Sequence, residues 1–209
     1  MPTSRDRIQE IYDRIAPDYD RTVGRGERLL LGDLRRAFGA ELRGETLEIG
    51  IGSGLNLPYY SRNVHRAVGI DLSLGMLRVA QERAVTLGLP LAVAQMDAER
   101  LGFRDGSFDT VAFSLTLCTV PDPVAALREA ARVCRPEGRV ILLEHVRSPV
   151  WPVTMVQRLL APAQERAMGC DLLRTTVETA ERLGFTIESE RRRLFGVFRL
   201  VVARPPVVR

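Results

Sequence analysis

The chain has 209 residues, 45% of them hydrophobic and 27% charged, which suits one soluble domain with a single core. No apolar run approaches the roughly 20 residues that span a bilayer, and Met1 to Arg7 lack the apolar centre of a secretory signal, so the cytoplasm is the expected location. The net charge of +4 is modest and its basic residues are interleaved with acids, which argues against nucleic acid as a partner.

All 30 basic side chains are Arg, so no lysine can act as a base or form a Schiff base. Cys118, Cys134 and Cys170 are few, odd in number and far apart in the chain. That spacing argues against a disulfide framework and against a zinc cluster; buried free thiols and no metal are expected.

In chain order, Ile8, Ile11, Tyr12 and Ile15 predict an amphipathic helix over residues 5–16, ended by Pro17. A second helix is expected over 26–43. Thr46 to Ile49 reads as a buried strand running into Gly50, Gly52 and Gly54, where the backbone can turn tightly and leave no Cβ before a ligand. A helix opening at Leu55 to Tyr60, cut short by Pro58, would turn its free N–H groups to that ligand. His65 to Ile70 is a second buried strand closing at Asp71. A carboxylate there can accept both hydroxyls of a ribose, or cap the helix that starts at Ser73. That helix runs to Gly88, a C-cap.

Leu89 to Ala94 predicts a third strand, and the Asp105-Gly106 turn leads to a fourth at Thr110 to Ser114. Pro121 to Cys134 is a helix, Arg135 to Arg139 a turn and Val140 to Leu143 the fifth strand. An apolar segment at Trp151 to Leu160 follows. Phe185 to Glu190 and Phe195 to Ala203 form two last strands, separated by an Arg191–Arg193 turn. Alternating strands and helices imply a mostly parallel sheet covered on both faces, closed by an antiparallel C-terminal hairpin. No linker or repeat interrupts the chain.

The glycines depart from the dinucleotide fingerprint G-x-G-x-x-G, because position 55 is Leu. Glu48 to Gly54 instead reads E-x-G-x-G-x-G, which resembles the first motif of class I S-adenosylmethionine (SAM)-dependent methyltransferases. Other blocks follow in family order. Tyr12 to Asp20 resembles the YDxxAxxYD lead-in, Asp71 to Leu77 the DxSxxML block, Gln95 to Leu101 the DAexL block and Ser107 to Asp109 the SFD turn. Glu137 replaces a glycine usual in the turn before strand five.

The resemblance implies a Rossmann-like α/β fold with a seven-stranded sheet. A single domain covers 1–209: an N-terminal helical lid (1–44), a SAM-binding core (45–146), and an acceptor-pocket insertion with the closing hairpin (147–209). It also implies SAM as cofactor and S-adenosylhomocysteine as product. Tyr12 and Tyr19 would close over the cofactor, with Glu48, Gly50, Gly52 and Gly54 at the cradle. Asp71 would take the ribose beside Leu72, Met76 would pack on adenine, and Asp97 would take its amino group. The Ala98 N–H would meet a ring nitrogen, and Ser114 would close the set.

The lead-in and DAERL blocks are similar to bacterial phosphatidylethanolamine N-methyltransferases and quinone C-methyltransferases. Leu115 to Val120, Leu143 to Val146 and Gly169 to Arg174 are similar to the methyltransferase-like 7 group, membrane-associated thiol S-methyltransferases. These families imply an apolar or lipid acceptor and peripheral contact with an anionic membrane. Phosphatidylethanolamine N-methylation is the first expectation, with thiol S-methylation and quinone-ring C-methylation as alternatives.

An amine or thiol acceptor must lose a proton before attack, so a base or a hydrogen-bonding phenol is expected near the methyl. His145, just past strand five, and Tyr19, on the lid, are the candidates; His65 lies at the opposite end of the sheet. Two other readings remain: an NAD-binding oxidoreductase, which lacks its glycine at 55 and leaves Asp97-Ala98 unexplained, and a SAM-binding or membrane-surface module without catalysis. The oligomeric state is left open.

Overall fold

The computed structural model describes residues 4–206. Among them are seven strands: β1 (Gly44–Ile49), β2 (Val64–Asp71), β3 (Leu91–Gln95), β4 (Phe108–Ser114), β5 (Cys134–His145), β6 (Thr186–Arg193) and β7 (Phe198–Arg204). They form one sheet in the order β3-β2-β1-β4-β5-β7-β6. β1 to β5 run parallel, and β7 is antiparallel to both β5 and β6. The helices are α1 (Arg5–Ile15), α2 (Arg25–Leu31), α3 (Leu34–Glu41), α4 (Leu74–Leu87), α5 (Pro123–Val133), α6 (Trp151–Met168) and α7 (Thr176–Arg182).

The two-residue period of the strands divides the core. Val111 and Phe113 of β4, with Val140 and Leu142 of β5, pack on α5 and α7. Their neighbours Ala112, Ile141 and Leu143 point to the other face, against Leu34 and Phe38 of α3. Both faces of the central strands are therefore buried, and this explains their nearly continuous apolar runs. A third cluster seats Leu77, Ala80 and Ala84 of α4 on Ala67 and Leu91 of the β2–β3 edge.

Four expectations are corrected. The segment 26–43 is two helices, because Gly32 takes φ +56° and the place of its missing Cβ lies 2.6 Å from the Arg193 guanidinium carbon. After the glycine loop comes a single 3-10 turn, Leu57–Tyr59, so no long helix aims its N-terminus at the cleft. Arg191 to Arg193 belong to β6, and the hairpin turns at Leu194, Phe195 and Gly196, all at positive φ. Strand five starts earlier than expected: Cys134 already pairs with Phe108 and Arg139 with Thr110, so the predicted 135–139 turn is a loop bulging from β5.

The N-terminal segment is pinned by the two aspartates of its YDxxAxxYD block, for which the sequence suggested no partners. Asp13 accepts from the Ser73 hydroxyl (2.6 Å) and the Gly75 N–H (2.9 Å), at the start of α4. Asp20 accepts from the Ser53 hydroxyl (2.6 Å) in the glycine loop and pairs with Arg83.

Gly39 sits inside α3, where helix propensity alone favours alanine by about 1 kcal/mol. Its Cβ would stand 2.2 Å from the Tyr59 carbonyl oxygen, because α3 packs directly on the 3-10 turn. Gly39→Ala is therefore expected to destabilise by about 1–3 kcal/mol, as overpacking does. Urea unfolding would check this; a stabilised variant would contradict the packing.

Candidate functional site

The C-terminal ends of β1, β2 and β4 meet where the strand order reverses, which is where open parallel sheets leave a crevice. A cleft of ≈ 870 Å³, part of it open to solvent, occupies that place. The glycine loop forms its floor. The Gly50 and Ile51 N–H groups donate to the Ile70 carbonyl (2.8 and 3.0 Å), folding the loop over the end of β2. Gly52 N–H then donates to Asp71 Oδ2, and Ser73 N–H to Asp71 Oδ1, both at 2.9 Å.

The three glycines differ in purpose. A Cβ at Gly50 would strike Thr116, and one at Gly54 would strike Leu57, so both serve close packing inside the protein. A Cβ at Gly52 would meet nothing within 4 Å; there the backbone lies bare against the cleft at φ +57°. Burial pushes the Asp71 carboxyl up to about 6, against the opposing pull of its backbone donors. Asp71 lines the cleft and accepts from the Ser73 N–H, while the side-chain N-cap of α4 is Ser73 itself.

A chain of polar side chains runs along one side. The Tyr19 hydroxyl donates to Glu27 (3.0 Å), Arg35 donates to Glu27 and to Asn56 (both 2.6 Å), and Asn56 and Tyr60 donate to Glu48. Tyr19, Glu27, Arg35 and Asn56 face the cleft. Glu48 and Gly54 lie outside its lining: Glu48 is fully buried behind the loop and acts on the cleft by holding Asn56. Burial lifts the Glu48 carboxyl to about 7 despite those two hydrogen bonds. Sequence reasoning missed Glu27, Arg35 and Asn56, which have no motif of their own.

Tyr12, Leu72, Met76, Asp97, Ala98 and Ser114 line the remaining walls. Asp97 already holds Arg5 of α1 at 2.9 Å and accepts from the Glu99 N–H, so any ligand amino group would share it with that ion pair. The Ser114 hydroxyl is buried with no protein partner. The loop beyond it turns at Leu115, held at φ +55°, and Glu144 fastens it by accepting from the Thr116 and Leu117 N–H groups.

His145 does not line the cleft. It ends β5, is buried, and its Nε2 lies 2.8 Å from Cys170 Sγ, with Cys118 close by. The cysteines that looked too far apart to cooperate are joined here by the fold. Contact with Cys118 and then His145 pulls the Cys170 thiol down to about 5, and Cys118 is raised in return. His65 is exposed at the start of β2.

The residues present fit SAM: a bare glycine backbone, a carboxylate for a ribose, an unpaired hydroxyl and an apolar slot at Met76.

Residues 47–142 match the methyltransferase domain family. The chain is 42% identical over 120 residues to a phosphatidylethanolamine N-methyltransferase of Cereibacter sphaeroides, covering 56% of this chain and 59% of that one. It is 33% identical over 146 residues to a demethylmenaquinone methyltransferase of Renibacterium salmoninarum, covering 66% and 59%. The aligned part thus spans about three fifths of these relatives. Among solved structures, the [4+2]-cyclase SpnF superposes with TM-score 0.75 at 20% identity, covering 99% of this chain and 97% of that one. A SAM-dependent methyltransferase from Methanosarcina mazei gives TM-score 0.64 at 21% identity, covering 78% and 93%. Both structural likenesses show the fold.

Two outcomes follow from the carboxylates. A ribose held by Asp71 would be bound by its ionised form, so S-adenosylhomocysteine affinity should fall as pH drops through about 6. Asp71→Asn should weaken it about tenfold to a hundredfold and flatten that dependence, read by titration calorimetry. The folded state holds the Glu48 proton up to about 7, whereas the unfolded chain releases it near its ordinary value of 4.5. Stability should therefore decline as pH rises between those values, by up to about 3 kcal/mol for this residue, and Glu48→Gln should show a shallower decline in urea unfolding.

Proposed function

We propose that this chain, whose residues 47–142 match a methyltransferase domain, is a class I SAM-dependent methyltransferase that methylates a lipid-like acceptor at a membrane surface, phosphatidylethanolamine first. SAM supplies a methyl group already activated by its sulfonium charge. What this chain must add is position and the exclusion of water. Gly52 and Asp71 would hold the sugar, and Asp97 with the Ala98 backbone the base. Tyr12 and Tyr19 cover the cleft from the N-terminal segment, which Asp13 and Asp20 fasten down. Burial, reinforced by Glu27, keeps the Tyr19 phenol protonated, so it serves as a hydrogen-bonding partner rather than a base.

One surface carries the choice of acceptor. Leu29 (79% exposed) and Leu30 of α2, Trp151 (71%) of α6, and Leu194 and Phe195 (70%) of the β6–β7 turn are exposed apolar side chains. They belong to neighbouring elements: Arg193 donates to the Leu30 carbonyl, and the Ser148 hydroxyl to the Phe195 carbonyl. Glu27, on the same helix as Leu29 and Leu30, lines the cleft. Arg191, Arg192 and Arg193, just before Leu194, are exposed. Apolar side chains rimmed by arginine suit the headgroup region of an anionic bilayer. The phosphatidylethanolamine relative favours an amine acceptor, and the demethylmenaquinone relatives favour ring C-methylation as a second reading.

The test is methyl release from SAM with vesicle-borne phosphatidylethanolamine, a demethylmenaquinol and a small apolar thiol. Turnover is expected with the phospholipid. Turnover with the quinol alone would support the second reading, and turnover with neither would reject the lipid acceptor. Anionic vesicles should float the protein, and the double variant Trp151→Ala/Phe195→Ala should float severalfold less while still binding S-adenosylhomocysteine.

A further inference from the structure

Cys118, His145 and Cys170 come from three separate elements: the loop after β4, the last residue of β5, and the loop after α6. Their ligating atoms all lie within 4.8 Å of one another, and all three residues are buried. The arrangement is held from several sides. The Asp171 N–H donates to the Cys118 carbonyl (2.9 Å), joining the two cysteine loops directly. Glu144 holds the Thr116 and Leu117 N–H groups, Arg174 donates to the Val120 carbonyl (2.9 Å), and Gln157 bridges the Val146 and Leu172 carbonyls. His145 itself is fixed in register opposite Phe198 of β7.

We propose that Cys118, His145 and Cys170 bind one zinc ion. Two soft sulfurs and one imidazole form a donor set that selects zinc among the divalent ions. Ligand atoms around tetrahedral zinc stand about 3.5–3.8 Å apart, and the observed separations, 2.8 Å for His145 Nε2 to Cys170 Sγ and at most 4.8 Å for any pair, bracket that value. Binding requires both sulfurs as thiolates and His145 as the neutral imidazole, so the protons the cluster holds pass to solvent, and the two thiolates balance the charge of the ion. The filled site is then neutral, as a buried place requires. Three protein ligands leave a fourth position for water or another sulfur. The proposal is independent of the methyl-transfer reading, because none of the three side chains lines the cleft.

The experiment measures metal in protein purified under reducing conditions, loaded with zinc chloride and desalted. About one zinc per chain is expected, falling severalfold or more in Cys118→Ser and in Cys170→Ser. It should be unchanged in Cys134→Ser, because that cysteine lies at the other end of β5. Cobalt chloride in place of zinc gives a readout that needs no variant: a thiolate-to-cobalt charge-transfer band in the wild type. The proposal is overturned by a wild type that holds no zinc and shows no such band. It is also overturned by cysteine variants that are folded by circular dichroism and hold as much zinc as the wild type, or by a Cys118–Cys170 disulfide seen as two missing thiols under those conditions.

Discussion

A buried carboxylate that accepts backbone N–H groups at the end of a strand organises this molecule. Ionised carboxylates are costly to bury unless donors surround them. The fold meets that requirement by bending a loop around each one. Asp71 closes β2 and draws in Gly52 and Ser73. Glu144, near the end of β5, draws in Thr116 and Leu117. Glu48, near the end of β1, uses the side chains of Asn56 and Tyr60 in place of backbone. Each loop so fastened contributes to the cleft wall, so the cost of burying charge and the shape of the site have one origin.

The same arrangement extends to the N-terminal segment. Asp13 acts on the start of α4 from outside, beside the caps that Ser73 and Asp71 supply from within the chain. Asp20 reaches Ser53 in the glycine loop. Tyr12 and Tyr19 flank these anchors in sequence, and both line the cleft. Their cover over the site rests on these hydrogen bonds together with the buried Ile8, Ile11 and Ala16 of the same segment.

The likeness to a [4+2]-cyclase over nearly the whole chain is a reminder that this scaffold does not dictate one reaction. Chemistry follows from what surrounds the cradle. In this chain those surroundings include the Tyr19–Glu27–Arg35–Asn56 row along one side of the cleft.

Strand and helix periodicity determined the alternating layers, and the glycine spacing determined the backbone turn at Gly50–Gly54, because both are local properties of a few neighbouring residues. Gly88 as a C-cap and Asp71 at the end of a strand were legible for the same reason. Tertiary structure decided which of those residues face the cleft: it sent Gly54 and Glu48 inward, broke the helix expected over 26–43 at Gly32, and left only a short turn after the glycine loop. It alone placed His145 beside Cys118 and Cys170. That meeting depends on strand order, and side chains dozens of residues apart carry no mark of it in their spacing.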